Sequence, residues 1–97
     1  MKTKEEIIVI VKNYLKERKR EYSTIDEEKI IYKENEKIIY GKHNEEYKNT
    51  FIVSYEKEGY LNPKVYFVVV DAEKGGVLYT MSEHGFVEDR ESDMTDL

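Results

Sequence analysis

Between Tyr66 and Tyr79 the chain runs YFVVVDAEKGGVLY, and this stretch decides the fold. Two β-branched and aromatic runs flank a short polar segment with two glycines, a pattern typical of two strands joined by a tight turn. Within the turn, we expect Asp71 to hydrogen-bond the backbone that follows it, and Gly75 to supply a positive φ. A cation site at Asp71 and Glu73 is disfavoured because Lys74 follows them, whereas calcium takes about six to eight oxygen ligands.

Further strands are indicated on the amino-terminal side of this hairpin. A near repeat, EKIIY at 28–32 and again at 36–40, predicts two strands that meet at Glu34-Asn35, with one long bent strand as the alternative. The polar segment 41–49 is expected to form a loop, and the run from Thr50 to Tyr55 has the β-branched and aromatic content of a strand. The predicted strands therefore cover about 28–33, 36–41, 50–57, 64–71 and 77–82.

The first twenty residues predict a helix from about residue 4 to residue 20. Thr3-Lys4-Glu5-Glu6 is a capping box, in which the Thr3 and Glu6 side chains each bond the other residue's backbone N–H. Basic residues gather in the last turns, where the helix dipole favours them. Apolar residues then recur at a spacing that places them on one helix face: Ile7, Ile8, Val11, Tyr14 and Leu15.

One helix followed by strands with short connections predicts an α+β fold. Short connections require antiparallel neighbours, because parallel strands need crossovers of about a dozen residues or more. The apolar stripe of the helix must then be buried on one face of the sheet. We expect a single domain over 1–97, with the N-terminal helix packed on a four- to five-stranded antiparallel sheet and a frayed acidic tail over 88–97.

Composition restricts the function. The 97 residues include no Cys, which excludes disulfides and thiolate metal sites, and no apolar run approaches the roughly 20 residues that span a bilayer. No signal peptide is evident, so the cytoplasm is the expected compartment, although a secreted protein whose signal had been removed would look the same. The net charge of −5 disfavours nucleic-acid binding and favours a basic protein partner.

Catalytic and metal motifs do not emerge from the sequence. His43 and His84 are the only histidines, and neither belongs to an H-E-x-x-H motif. No G-x-S-x-G elbow is present. We therefore expect no enzyme activity, no cofactor and no metal. Lys16 to Arg20 is interpreted as a solvated helix end that matches the helix dipole, not as a nucleic-acid patch.

The nine tyrosines are the most unusual feature of the composition. Tyrosine is enriched at protein interfaces because it offers a large contact area and a polar tip. Tyr14, Tyr55 and Tyr79 are expected to be structural, whereas Tyr40 and other tyrosines in loops are expected to be presented to a partner. The predicted partner-binding residues combine such tyrosines with nearby acids: Glu45, Glu46, Tyr47, Tyr60, Glu83, Glu88 and Asp89.

The strand and hairpin pattern resembles a known family. Phe51-Ile52-Val53 followed by YFVVVDA at 66–72, with Gly75 and then Val77-Leu78, is similar to the PepSY domain. The order of elements also resembles small cystatin-like cones of the nuclear-transport-factor type, which several bacterial immunity proteins use. The resemblance implies an antiparallel sheet with a packed helix, and a binding or inhibitory role without catalytic residues.

From these observations, the leading hypothesis is an immunity protein that neutralises a bacterial toxin by covering its surface. A PepSY-like peptidase inhibitor or chaperone is the first alternative. A small-ligand-binding cone is the second, and it requires a deep pocket between helix and sheet. An acidic mimic of nucleic acid is a third, which the mixed Lys/Glu pattern does not favour. Pairing of two copies along an open sheet edge, for instance Val77–Ser82, is a further expectation.

Overall fold

The helix and sheet are seen in a computed structural model that describes residues 1–20, 22–39, 45–58, 63–82 and 85–87. The predicted α+β class, with the helix on an antiparallel sheet, is confirmed, but the sheet has six strands instead of four to five. The elements are α1 (Lys4–Glu17), β1 (Thr24–Ile25), β2 (Ile31–Lys37), β3 (Tyr47–Lys57), β4 (Lys64–Asp71), β5 (Val77–Ser82) and β6 (Gly85–Val87).

Helix α1 begins at a capping box and ends earlier than predicted. The Thr3 N–H donates to Glu6 Oε1 at 2.8 Å, and the Glu6 N–H donates to Thr3 Oγ1 at 3.2 Å. At the other end, the Lys19 N–H donates to the Lys16 carbonyl and the Arg20 N–H donates to the Leu15 carbonyl, at 3.1 and 2.9 Å. These two bonds, with Lys19 at φ 55°, form a Schellman motif. The helix therefore stops at Glu17, and the predicted end at residue 20 is wrong.

The sheet is antiparallel throughout, and β3 is its organising strand. The order is β1-β3-β4-β5-β6, and β2 also pairs with β3. β1 lies beside the last residues of β3, with Ile25 opposite Tyr55, while β2 lies beside the earlier residues, with Ile31 opposite Ile52. The two short strands thus share one edge of β3. β1 falls in a segment that the sequence predicted to be only a connection.

β2 runs from Ile31 to Lys37 through Glu34-Asn35, so the prediction of two strands that meet at a turn there is wrong, and the alternative of one bent strand is confirmed over this range. The pairing shifts register between Lys33 and Glu36, and Asn35 has φ 51°. A β-bulge uses the same left-handed conformation as a tight turn, so Glu34-Asn35 carries a similar local signal for both. The strand β3 begins at Tyr47, so the predicted loop over 41–49 ends earlier than expected.

A single layer of side chains joins α1 to the sheet. Residues Ile7, Val11 and Leu15 are completely buried and lie in one cluster with strand residues such as Val53 and Val68. These side chains fill the space between the helix and the sheet. This packing argues against the small-ligand cone, which needs an open pocket at that position.

The turn between β4 and β5 has the predicted chemistry. The N–H groups of Glu73 and Lys74 donate to Asp71 Oδ1 at 2.9 and 3.1 Å, and Gly75 has φ 83°. Beyond the turn, β6 pairs with Thr80 to Ser82. The suggestion that Val77–Ser82 is an open edge is therefore wrong over its last three residues.

Candidate functional site

The strongest candidate contact surface lies where β2 and β3 meet, and we call Lys37, Ile38 and Glu45–Lys48 the hairpin end. The Ile38 N–H donates to the Glu46 carbonyl at 2.7 Å, and the Glu45 N–H donates to the Ile38 carbonyl at 2.8 Å. Ile38 is fully buried, whereas Tyr47, which faces Lys37 across the strands, is 61% exposed. The buried isoleucine and the backbone bonds thus hold an exposed tyrosine on an ordered strand.

The charges at the hairpin end are mixed. Glu45 Oε1 lies 3.5 Å from Lys37 Nζ, and Glu46 Oε1 lies 3.6 Å from Lys48 Nζ. The Glu45 pair faces solvent on both sides, where such pairs contribute little energy. In the Glu46 pair only the glutamate is exposed, because the Lys48 side chain is largely buried. The surface therefore presents two carboxylates beside a tyrosine. Its net negative charge is smaller than the two glutamates alone would give, because Lys37 and Lys48 partly neutralise them.

Lys48 also connects the hairpin end to the β4–β5 turn. Its Nζ lies 3.3 Å from Asp71 Oδ2, and both side chains are largely buried. Burial alone would raise the pKa of Asp71, but the backbone N–H groups of Lys74 and Glu73 and the Lys48 ammonium outweigh it, so the pKa is held below its usual value. Both oxygens of Asp71 are therefore occupied, one by the turn N–H groups and one by Lys48, and its role is structural.

Asn49 continues this polar network. Its Oδ1 accepts from the Asn35 N–H at 2.8 Å, and its amide donates to Glu73 Oε2 at 3.3 Å. The bulge in β2 and the turn after β4 are thereby tied together. The residues of the network line a shallow cleft of about 280 Å³: Asn35, Tyr47, Lys48, Asn49, Asp71, Glu73 and Lys74.

The predicted partner-binding residues divide into two groups. Glu45, Glu46 and Tyr47 are brought together at the hairpin end. Of the tyrosines expected to be structural, Tyr55 is buried and stacks on Tyr66 with the ring centroids 5.1 Å apart. The other predicted contacts lie outside the described residues: Tyr60, Glu83, Glu88 and Asp89. Tyr40, which was expected to be presented to a partner, and the two histidines, for which no contact was predicted, also lie outside them.

A second cleft lies at the C-terminal end of α1, and the sequence analysis did not identify it. It has a volume of about 390 Å³. We call it the basic cleft, and its lining residues are Lys19, Arg20, Tyr55, Lys57, Tyr66 and Val87. No local sequence pattern indicates this cleft. Lys57 comes close to Lys19 and Arg20 only because β3 packs against α1 in the folded chain.

The described ranges contain neither a metal-binding cluster nor a helix that could span a membrane. In these ranges, no group of three or more His, Cys, Asp or Glu side chains is placed to hold a metal ion. No helix there combines the length and the apolar character that crossing a bilayer requires.

Comparison of the chain with protein-family models, with curated proteins and with solved structures finds no match. The resemblance to PepSY and cystatin-like domains therefore stays a prediction from the sequence.

Proposed function

We propose that this protein is a small binding protein that neutralises a protein partner by covering its surface, as the immunity proteins of bacterial toxins do. The hairpin end is the contact surface in this proposal, and no catalytic residue takes part. The partner is a protein with a basic surface, because the chain carries a net charge of −5 and opposite charges speed encounter.

The observation that carries the proposal is the exposure of Tyr47 on a fixed backbone. Tyr47 is 61% exposed, whereas a large aromatic side chain is usually covered by a core or by an interface. Tyr47 is the first residue of β3 and pairs with Lys37 of β2. The residue before it, Glu46, accepts a hydrogen bond from the Ile38 N–H, so the backbone on both sides of Tyr47 is ordered. Binding therefore requires little ordering of the surrounding chain, which favours affinity.

Glu45 and Glu46 supply the polar surroundings of this aromatic anchor. Interfaces commonly place an aromatic residue at the centre and polar groups around it. A basic partner can replace Lys37 and Lys48 as the counter-charge of these carboxylates. At Glu45 the exchange swaps one exposed ion pair for another, so it directs the partner's orientation more than it adds affinity.

The test is coexpression with the product of the neighbouring gene, followed by copurification and growth measurement. Tyr47→Ala should weaken the complex by about 2 kcal/mol or more, roughly 30-fold in Kd, and abolish growth rescue at low expression. Tyr22→Ala is the matched control, because Tyr22 is also exposed but lies beside β1, near the other end of β3.

Two results would contradict this proposal. One is the absence of any complex and of growth rescue by the unaltered protein. The other is a complex that Tyr47→Ala and Tyr22→Ala weaken equally, which would place the contact elsewhere. Inhibition of a purified peptidase by the domain, without any effect of the neighbouring product, would instead support the PepSY-like alternative.

A further inference from the structure

The basic cleft gathers three cationic side chains around one opening. Lys19 and Arg20 come from the end of α1, and Lys57 comes from the end of β3. None of the described residues that line it is acidic, although the whole chain carries a net charge of −5. Among the described residues, Lys19, Arg20 and Lys57 take part in none of the ion pairs.

Arg20 is held in position by aromatic rings. Its guanidinium carbon lies 5.8 Å from the centroid of the Tyr14 ring, within the range of a cation–π contact. Burial raises the pKa of the Tyr55 hydroxyl, and Arg20 opposes that rise through its charge and a hydrogen bond. The guanidinium therefore lies beside the rings of Tyr14 and Tyr55.

One nitrogen of the Arg20 guanidinium lacks a hydrogen-bond partner among the described residues. Arg20 Nη1 is buried and has no hydrogen-bond partner in the described part of the chain. A buried donor without a partner costs about 1–3 kcal/mol, and more when the group is charged. A solvated helix end, which is the ordinary interpretation of Lys16 to Arg20, would not bury such a nitrogen. Arg20 also lines the basic cleft, so an anion bound there lies against the guanidinium that carries this nitrogen.

We propose that the basic cleft binds a phosphate-bearing small molecule. One phosphate carries a charge of about −1.5 to −2 at pH 7 and three acceptor oxygens. It therefore matches a cleft lined by Lys19, Arg20 and Lys57 better than a single carboxylate does, which offers two oxygens and one charge. The cleft, at about 390 Å³, falls within the range of about 300–1,000 Å³ typical of small-molecule sites. Tyr66, half-buried beside the cations, supplies an aromatic wall.

The experiment is a titration of the ¹⁵N-labelled full chain with sodium pyrophosphate at constant ionic strength, followed by amide chemical shifts. We expect saturable shifts centred on Lys19, Arg20, Lys57 and Tyr66. A parallel titration with citrate, whose negative charges are carboxylates, separates phosphate recognition from general attraction of anions. Citrate binding as tight as pyrophosphate binding would overturn the assignment to phosphate.

Variants locate the site. Arg20→Gln should lower pyrophosphate affinity by about tenfold or more, since hydrogen bonds to charged groups are the strong ones. Lys57→Gln, on an exposed residue whose replacement leaves the core intact, should lower it by about threefold to tenfold. Lys4→Gln is the matched control with the same charge change, and it should stay within about twofold because it lies at the other end of α1, roughly 20 Å away.

Non-saturable shifts spread over all lysines would overturn the proposal. Equal affinity of the Lys57→Gln and Lys4→Gln proteins would also overturn it, even if Arg20→Gln failed to fold. The inference does not depend on the proposed partner, because Tyr47 and Lys57 are the first and last residues of β3. Loss of pyrophosphate binding with growth rescue intact, or the reverse, would separate the two proposals.

Discussion

Gly75 holds the β4–β5 turn in a backbone conformation that a side chain opposes. Its φ is 83°, and a Cβ at this position would lie 3.0 Å from both Ile10 Cδ1 and Lys2 Cε. Gly75→Ala should therefore lower the free energy of unfolding by about 1–3 kcal/mol, as measured by urea denaturation.

Gly76→Ala is the matched control for this change. A Cβ at Gly76 would meet nothing within 4 Å, so its effect should stay within about 1 kcal/mol and can be stabilising. Partner binding by folded Gly75→Ala protein should be unchanged. Unchanged stability with lost binding would instead make the turn part of the functional surface.

Asp71 links stability to pH. Its pKa is lowered in the folded protein, so folding favours the ionised carboxylate. The resulting stabilisation is fully present above the unfolded pKa of about 4 and is lost as the pH falls through the folded pKa. Asp71→Asn keeps an oxygen for the turn but loses the Lys48 ion pair. It should lower the free energy of unfolding at pH 7 by about 1–2 kcal/mol.

The difference between Asp71→Asn and the unaltered protein should shrink as the pH is lowered below about 4, because the unaltered protein then loses the same interaction. Denaturation at a series of pH values measures it. Glu58→Gln, an exposed change of equal charge, should alter stability by less than about 0.5 kcal/mol. A constant difference between pH 7 and pH 2 would show that Asp71 acts through packing and not through its charge.

At the scale of elements, the end of α1 is unusual because a lysine occupies the left-handed position of the Schellman motif. Lys19 has φ 55°, where glycine is the usual residue. Lys19→Gly should raise the free energy of unfolding by about 0.5–1 kcal/mol, since the strain of a side chain in this conformation is removed. The same variant should bind pyrophosphate more weakly, because a cation of the basic cleft is lost.

Lys16→Gly tests that interpretation with the same substitution three residues earlier. Lys16 is exposed and lies inside the last turn of α1, so glycine there should cost about 1 kcal/mol. Opposite signs for the two variants in thermal denaturation would establish the position of the helix end. A loss of stability for both would mean that α1 continues through Lys19 in solution.

The same element shows what sequence could and could not predict. The capping box fixes the start of α1 through local chemistry, so Thr3 and Glu6 were enough to locate it. No glycine or proline marks its end, and the left-handed turn at Lys19 therefore gave no signal. Asn35 posed a related problem, since a bulge and a turn both favour a left-handed asparagine. Only pairing with β3 decides between them.

The two candidate sites differ in how far the sequence could predict them, and the reason is related. Glu45, Glu46 and Tyr47 are neighbours in sequence, so a local pattern could indicate the hairpin end. The basic cleft joins Arg20 to Lys57 and Tyr66, which are far apart in the chain. Their proximity follows from strand register, with Tyr55 opposite Tyr66, and register depends on pairings that no single segment encodes.

At the scale of the whole molecule, most of the buried apolar side chains belong to the cluster between α1 and the sheet. A domain of about 100 residues has a net stability of about 5–15 kcal/mol, so the loss of a few methyl groups from that cluster is a large fraction of the total. Val11 and Val9 lie on the same helix, but Val11 is fully buried and Val9 is 57% exposed. They offer the same substitution in two environments.

Val11→Ala should lower the free energy of unfolding by about 2–3 kcal/mol, because two buried methyl groups are removed and a cavity remains. Val9→Ala should change it by less than about 0.5 kcal/mol and can be stabilising, since alanine is the better helix former. Urea denaturation of both proteins measures the difference. Similar values would mean that α1 does not pack on the sheet through this face.

The basic cleft is lined by residues that follow α1 and by the last residue of β3, so it needs both elements in their places. Pyrophosphate affinity of folded Val11→Ala protein therefore measures whether the end of the helix stays in position when the packing beneath it is loosened.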